Sequence, residues 1–136
     1  MVRNINKDIV FLGMKAKPAT REDKDIITDL KDTLAANADK CVGMAANMIG
    51  FNRSIIICHI GMFDIIMVNP KITAKSKKYE TLEGCLSLDG QRKTVRYGDI
   101  EVEYEDEGFA RRVRRFSGFA AQIIQHEIDH CNGIII

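Results

Sequence analysis

The sequence predicts one α+β domain, with antiparallel or mixed strands packed around a central helix near the C-terminus. Three observations predict this class: an amphipathic helix pattern early in the chain, β-branched runs in the middle and an apolar helix at the end. A chain of this length buries roughly 70% of its unfolded surface, which suffices for one core without disulfides. We therefore expect a single domain over 1–136.

The first predicted helix spans 22–36. Thr20 can cap it, and Asp23 stands at the third helical position, as in an approximate capping box. Apolar side chains follow at spacings of three and four: Ile26, Ile27, Leu30 and Leu34. This spacing places them on one face, so we expect the helix to pack against the core.

The middle of the chain predicts a hairpin. Two β-branched runs, 54–60 and 63–68, are separated by the turn residues Gly61-Met62. We expect the second run to end at Asn69-Pro70, because proline cannot donate to a strand ladder.

A second hairpin is predicted closer to the C-terminus. Residues 99–105 alternate apolar and acidic side chains, and after a turn at 106–108 the segment 109–116 carries four arginines. One interpretation of these arginines is an RNA-binding cluster. We favour cross-strand pairing with the three acidic side chains, which are Glu101, Glu103 and Glu105.

Charge and hydropathy exclude several partners. Lys and Arg total 20 against 19 Asp and Glu, a net charge of +1, so no strong field attracts DNA or RNA. No apolar run reaches the length of a signal peptide core or a membrane span. We expect a cytoplasmic protein with no membrane partner.

The last predicted helix begins at 117–118 and ends near Asn132, with Gly133 as its stop. It contains His126-Glu127-Ile128-Asp129-His130, an H-E-x-x-H pattern. Two histidines four residues apart lie on one helical face and can bind one metal ion. Glu127 is placed to take a proton from an attacking water. Core-facing histidines without a metal are the alternative.

A catalytic metal site of this type uses three protein ligands and keeps one position open. Because only six residues follow His130, we expect the third ligand upstream, and Cys85 within 83–87 is the strongest candidate. We expect Cys58 and Cys131 to serve packing, Cys41 is a weaker candidate, and His59 is given no role.

Three segments together resemble the peptide deformylase family. That family carries Gly-x-Gly-x-Ala-Ala-x-Gln, then Glu-Gly-Cys-Leu-Ser, then Gln-His-Glu-x-x-His. Residues 83–87 and 125–130 match the second and third motifs in full, and 41–48 matches the first in part. In that first segment, Gly43 and Ala45-Ala46 indicate close backbone approach. The resemblance covers nearly the whole chain.

The resemblance implies removal of the formyl group from the N-terminal formyl-methionine of nascent peptides. It implies that Cys85, His126 and His130 hold one divalent metal ion per chain, natively Fe²⁺, with Zn²⁺ or Ni²⁺ able to occupy the same ligands. Glu127 would be the general base and then the general acid, and the backbone N–H of Leu86 an oxyanion donor. N-formylmethionyl peptides would be the substrates and the ribosome a transient partner.

The resemblance also implies the substrate contacts. Val42 and Gly43 would lie against the substrate main chain, and Ile123 and Glu83 near the methionine pocket. We further expect Arg96 to form an ion pair with Glu83.

Two positions depart from the family pattern: Cys41 replaces the first glycine of the first motif, and Met48 replaces its glutamine. The family glutamine donates to the oxyanion, whereas a thioether cannot donate. Three functions therefore remain open: a deformylase of reduced activity, an amidase for another N-acyl substrate, and a metal-binding relative without activity. Glu127 argues against the last, because metal binding alone needs no general base.

Overall fold

The computed structural model describes residues 1–135; Ile136, the last residue of the predicted domain, lies outside the described residues. Its centre is a five-stranded antiparallel sheet in the order β1-β2-β3-β4-β5. The strands are β1 (Gly43–Ala45), β2 (Ile55–Ile60), β3 (Phe63–Cys85), β4 (Leu88–Glu105) and β5 (Arg111–Ser117). The helices are α1 (Ile9–Leu12), α2 (Lys24–Ala36) and α3 (Gly118–Cys131).

Strand β2 is buried on both faces of the sheet. Ile55 and Ile57 pack with the apolar face of α2, while Ile56 and Cys58 pack with α3. A strand covered on both faces needs a continuous apolar run instead of an alternating one. Residues 55–58 form such a continuous apolar run, and a helix covers each face of the sheet at this strand.

The capping box predicted at Thr20 is present, but the α-helix begins at Lys24, later than the predicted residue 22. The Thr20 hydroxyl accepts a hydrogen bond from the backbone N–H of Glu22, and the Asp23 carboxylate accepts one from the backbone N–H of Thr20. The first turn, Arg21–Asp23, is a 3₁₀ turn, and the α-helix proper begins at Lys24.

Strands β3 and β4 form a long hairpin that the sequence does not predict. The expected end at Asn69-Pro70 is wrong, since β3 continues to Cys85 and pairs with β4 along its length. The ladder passes Pro70 through a register shift between Val68 and Lys71, because proline has no N–H to donate. Likewise, β4 begins at Leu88, earlier than the expected residue 99.

The predicted hairpin of acidic and basic strands is confirmed. Strand β5 pairs with β4 so that Glu101 opposes Arg115 and Glu105 opposes Arg111. Arg115 lies 3.2 Å from Glu101, and Arg111 is paired with Glu103. The opposite charges of the two strands are thus paired on the outer face of the sheet.

Helix α3 packs on the opposite face from α2, against β4, β2 and β1. It ends at Cys131, and Gly133 follows with a positive φ of 76°. A Cβ at Gly133 would come within 2.5 Å of the Gly13 carbonyl oxygen, so this helix end requires glycine. The C-terminal stop is therefore confirmed.

Candidate active site

A cavity of about 550 Å³ lies between β1, the far end of the β3–β4 hairpin and α3. Cys85, Leu86, His126 and Glu127 all line it. His130 lies one helical turn beyond His126 and is buried. The H-E-x-x-H motif (126–130) and the cysteine segment (83–87), more than 35 residues apart in the chain, thus meet at one cavity.

The residues predicted to contact substrate line the same cavity: Val42, Gly43, Glu83 and Ile123. Met48 lines it too, from a short 3₁₀ helix (Ala46–Ile49) that follows β1.

The two histidines of α3 face each other. Their Nε2 atoms lie 3.1 Å apart and the ring centroids 4.7 Å apart. Nδ1 of His126 lies 2.7 Å from Oε1 of Glu83. A carboxylate on Nδ1 fixes the tautomer and directs Nε2 away from it, so the His126 Nε2 is presented toward His130.

Glu83 is held by the expected ion pair. The Arg96 guanidinium donates to both carboxylate oxygens of Glu83 at 2.6–3.1 Å, and its Nη1 donates to Asp129 at 2.6 Å. Gln122 also donates to Glu83 at 2.9 Å. Burial alone would raise the pKa of Glu83, but the hydrogen bonds from His126, Arg96 and Gln122 lower it to about 2. Glu83 is therefore a buried carboxylate anion.

The pKa values of the two imidazoles are shifted in opposite directions. Burial, followed by the charges of His126 and Arg96, lowers the pKa of His130 to about 3, so its ring is neutral. For His126, burial opposes protonation, but the bond to Glu83 and the charges of Glu127 and Glu83 outweigh it and raise its pKa. A neutral imidazole is the form that binds metal ions.

Glu127 is a buried carboxylate with a free oxygen. Its Oε1 has no hydrogen-bond partner in the described chain, and burial raises its pKa to about 7. A base with a pKa near neutrality is well matched to general acid–base work. Gly43 gives it room, because a Cβ there would lie 2.9 Å from both Glu127 Oε2 and Ile123 Cγ2.

The thiol of Cys85 is half-buried at the cavity wall. Burial raises its pKa, while hydrogen bonds from the backbone N–H groups of Ser87 and Leu88 oppose that rise. The other thiols behave as predicted for packing, since Cys58 and Cys131 are buried in the core under α3. His59 lies outside the cavity, on β2, with Nδ1 2.7 Å from Asp64.

The residues present fit a divalent metal ion. The Nε2 atoms of His126 and His130 converge, and the Cys85 thiol, which accepts two N–H bonds, lines the cavity that His126 also lines. Within residues 1–135, no group of three His, Cys, Asp or Glu side chains is close enough together to form a complete ligand set. The place of Cys85 in that set is accordingly a proposal.

Sequence reasoning missed several supporting residues of the site. Gln122 precedes His126 by four residues and so shares its helical face, a spacing that could have identified it. Asp129 and Asn47 carry no such signal, because their partners Arg96 and His130 are distant in the chain.

Comparison with known proteins identifies the family of this chain. The family model for polypeptide deformylase matches residues 4–136. This chain belongs to the polypeptide deformylase family. It is 54% identical to a peptide deformylase of Clostridium beijerinckii, and the alignment covers all of both chains. A peptide deformylase of Chlorobium luteolum is 31% identical over 91% of this chain and 70% of its own length.

Solved peptide deformylases share the fold. A class I type b enzyme from Acinetobacter baumannii superposes with a TM-score of 0.90 at 28% identity, covering 99% of this chain and 97% of its own. The enzyme from Thermotoga maritima gives 0.89 at 26% identity, with 99% and 95% covered. The predicted α+β class and family are confirmed.

Peptide deformylases are metalloenzymes that hydrolyse an amide bond. This chain is therefore a hydrolase of that family, whose reaction removes the N-formyl group from nascent peptides. No helix in residues 1–135 is both long and apolar enough to cross a membrane.

Proposed function

We propose that this deformylase holds one divalent metal ion through Cys85, His126 and His130, natively Fe²⁺, with Zn²⁺ or Ni²⁺ accepted by the same ligands. The convergence of the two Nε2 atoms at 3.1 Å carries the proposal. Glu83, anchored by Arg96, keeps the proton of His126 on Nδ1 and leaves Nε2 free to bind. When bound, the ion would activate a water and polarise the formyl carbonyl.

Glu127 is proposed as the general base. Glu127 lines the cavity beside His126, its Oε1 has no partner in the described chain, and its raised pKa allows it both to accept and to return a proton near neutral pH. It would take the proton of the attacking water and deliver it to the departing amine of the peptide. Hydrolysis then yields formate and a free N-terminus.

The oxyanion is proposed to be stabilised by the backbone N–H of Leu86, which lines the cavity next to Cys85. The second family donor is replaced by Met48, whose side chain is 1% exposed and whose sulfur accepts from the N–H of Ala45 at 3.5 Å. Loss of one oxyanion donor typically lowers kcat by about 10²–10³. We therefore propose reduced turnover.

Three cavity residues are proposed to contact the substrate directly. Val42 and Gly43, at the start of β1, would lie against the peptide main chain, and Ile123 would border the methionine side chain. Glu83 reaches the same region, but both of its oxygens are bonded within the protein. We therefore propose that Glu83 acts on substrate through His126.

The cellular setting belongs to the same proposal. N-formylmethionyl peptides, the substrates, emerge from the ribosome, so we place the enzyme in the cytoplasm with a transient ribosome contact. Three of the four arginines of β5, which are Arg111, Arg112 and Arg115, do not require an RNA partner, because they are paired with acidic side chains of the same hairpin.

A second substrate class is favoured by one observation. Met48 makes the wall apolar where the family places a polar donor, and a drier wall suits a larger acyl group. The alternative is thus an amidase for another N-acyl peptide.

The test is hydrolysis of formyl-Met-Ala and acetyl-Met-Ala by protein loaded anaerobically with Fe²⁺, with Glu127→Gln as the control. The proposal expects formate release from the first substrate, and loss of it in the variant with metal content unchanged. Faster cleavage of the acetyl peptide would favour the alternative. If Glu127→Gln released formate as fast as the unmodified chain, Glu127 would not be the general base.

A further inference from the structure

Asn47 joins two parts of the active site that are far apart in the chain. It belongs to the 3₁₀ helix that also presents Met48 to the cavity, and its Nδ2 donates to the main-chain oxygen of His130 at 2.8 Å. The side chain is only 2% exposed. The 3₁₀ helix is itself anchored, since the backbone N–H of Asn6 donates to the carbonyl of Met48 at 2.7 Å.

The His130 carbonyl lies in the last turn of α3, where helix carbonyls lack partners within the helix. It accepts two bonds, one from Asn47 Nδ2 and one from the backbone N–H of Gly133 at 3.1 Å. Asn47 therefore connects the backbone of His130 to the 3₁₀ helix on the other side of the site.

The geometry of Asn47 is not explained by stability alone. Only its amide nitrogen can donate to a carbonyl, so Oδ1 points elsewhere, and this oxygen is buried with no partner in the described chain. An unpaired buried acceptor costs more than a single neutral hydrogen bond contributes on balance.

We infer that Asn47 is a positioning residue: its bond to the His130 carbonyl fixes the imidazole of His130 at metal-binding distance from that of His126. The inference rests on the proposed function, in which His130 is a ligand. Asn47 complements Glu83, because Glu83 orients the ring of His126 through Nδ1 while Asn47 holds the backbone of His130.

The test compares three variants of the full chain. Asn47→Asp keeps the shape but replaces the amide donor with a carboxyl oxygen, and Asn47→Leu removes both polar atoms. Asn37→Leu is the matched control, because Asn37 Nδ2 also donates to a main-chain oxygen, that of Thr33, at 2.8 Å at the end of α2. Zn²⁺ affinity is measured by chelator competition, and the Co²⁺-loaded forms are compared by visible absorption.

Both Asn47 variants are expected to bind Zn²⁺ about 10–100-fold more weakly, as for other groups that orient metal ligands. Their Co²⁺ bands should shift, whereas Asn37→Leu should change melting temperature without changing Zn²⁺ affinity or the Co²⁺ bands. Unchanged Zn²⁺ affinity in both Asn47 variants would overturn the inference and leave the proposed function intact. If the unmodified chain bound no Zn²⁺, the proposed function would fail and the inference with it.

If the variants do not fold, the inference can still be tested on the unmodified protein. The side-chain amide resonances of Asn47 should shift when Zn²⁺ is added, and those of Asn37 should not. Absence of a shift at Asn47 would equally overturn the inference.

Discussion

Replacing Met48 by glutamine should restore the missing oxyanion donor. Met48 is buried at the cavity wall, and its sulfur accepts the Ala45 N–H at 3.5 Å. A glutamine Oε1 can accept that same N–H, which leaves Nε2 directed to the cavity. One oxyanion donor is worth about 2.7–4 kcal/mol. Half of the lower value is about 1.4 kcal/mol, or about tenfold in rate.

The assay is kcat/KM on formyl-Met-Ala, with metal content measured on the same samples. Met48→Gln should raise kcat/KM at least about tenfold, a conservative share of one donor. Met48→Leu, which conserves volume but donates nothing, should give no gain. Equal or lower activity in Met48→Gln at unchanged metal content would refute the reasoning, because another group would then be stabilising the oxyanion.

Three further changes test other parts of the structure. Gly43→Ala should lower kcat without unfolding the protein, since its Cβ would lie 2.9 Å from the Glu127 carboxylate; steady-state kinetics and a melting curve separate the two effects. Arg115→Ala should lower the free energy of unfolding in urea by only about 0.2–1 kcal/mol, as loss of an exposed ion pair does, and a larger loss would mean that the pair sets the register. The hydrogen bond from Arg112 holds the pKa of Asp106 below its ordinary value of 3.8, helped by backbone N–H groups. Its contribution to stability is therefore present above that value and lost as pH falls through the lowered pKa. An NMR titration should give a midpoint below 3.8 that rises in Arg112→Ala, and an unchanged midpoint would contradict the assignment.

Much of the fold follows from local patterns in the sequence. The capping residue Thr20, the alternation over 99–105 and the stop at Gly133 each act over a few residues, so each predicted element is present. The far part of the β3–β4 hairpin was not predictable in this way. Its residues 71–81 are mostly exposed, so no apolar alternation marks the strand, and Pro70 suggested an end.

The contacts of the site, like the strands, include some that local sequence patterns predict and some that they do not. The i, i+4 spacing of the histidines predicts their convergence, and the expected pair of Glu83 with Arg96 is present. The bond from Asn47 to His130 joins residues 83 apart in the chain. Such contacts depend on how the 3₁₀ helix packs against α3, which no local pattern reports.

Elemental analysis tests the proposed set of metal ligands most directly. The unmodified chain and Cys41→Ala, which changes another cavity-lining thiol, should each retain one divalent metal ion per chain. Cys85→Ala should lose that ion, because two imidazoles alone do not complete a three-ligand site. Undiminished metal content in Cys85→Ala would contradict the assignment of Cys85.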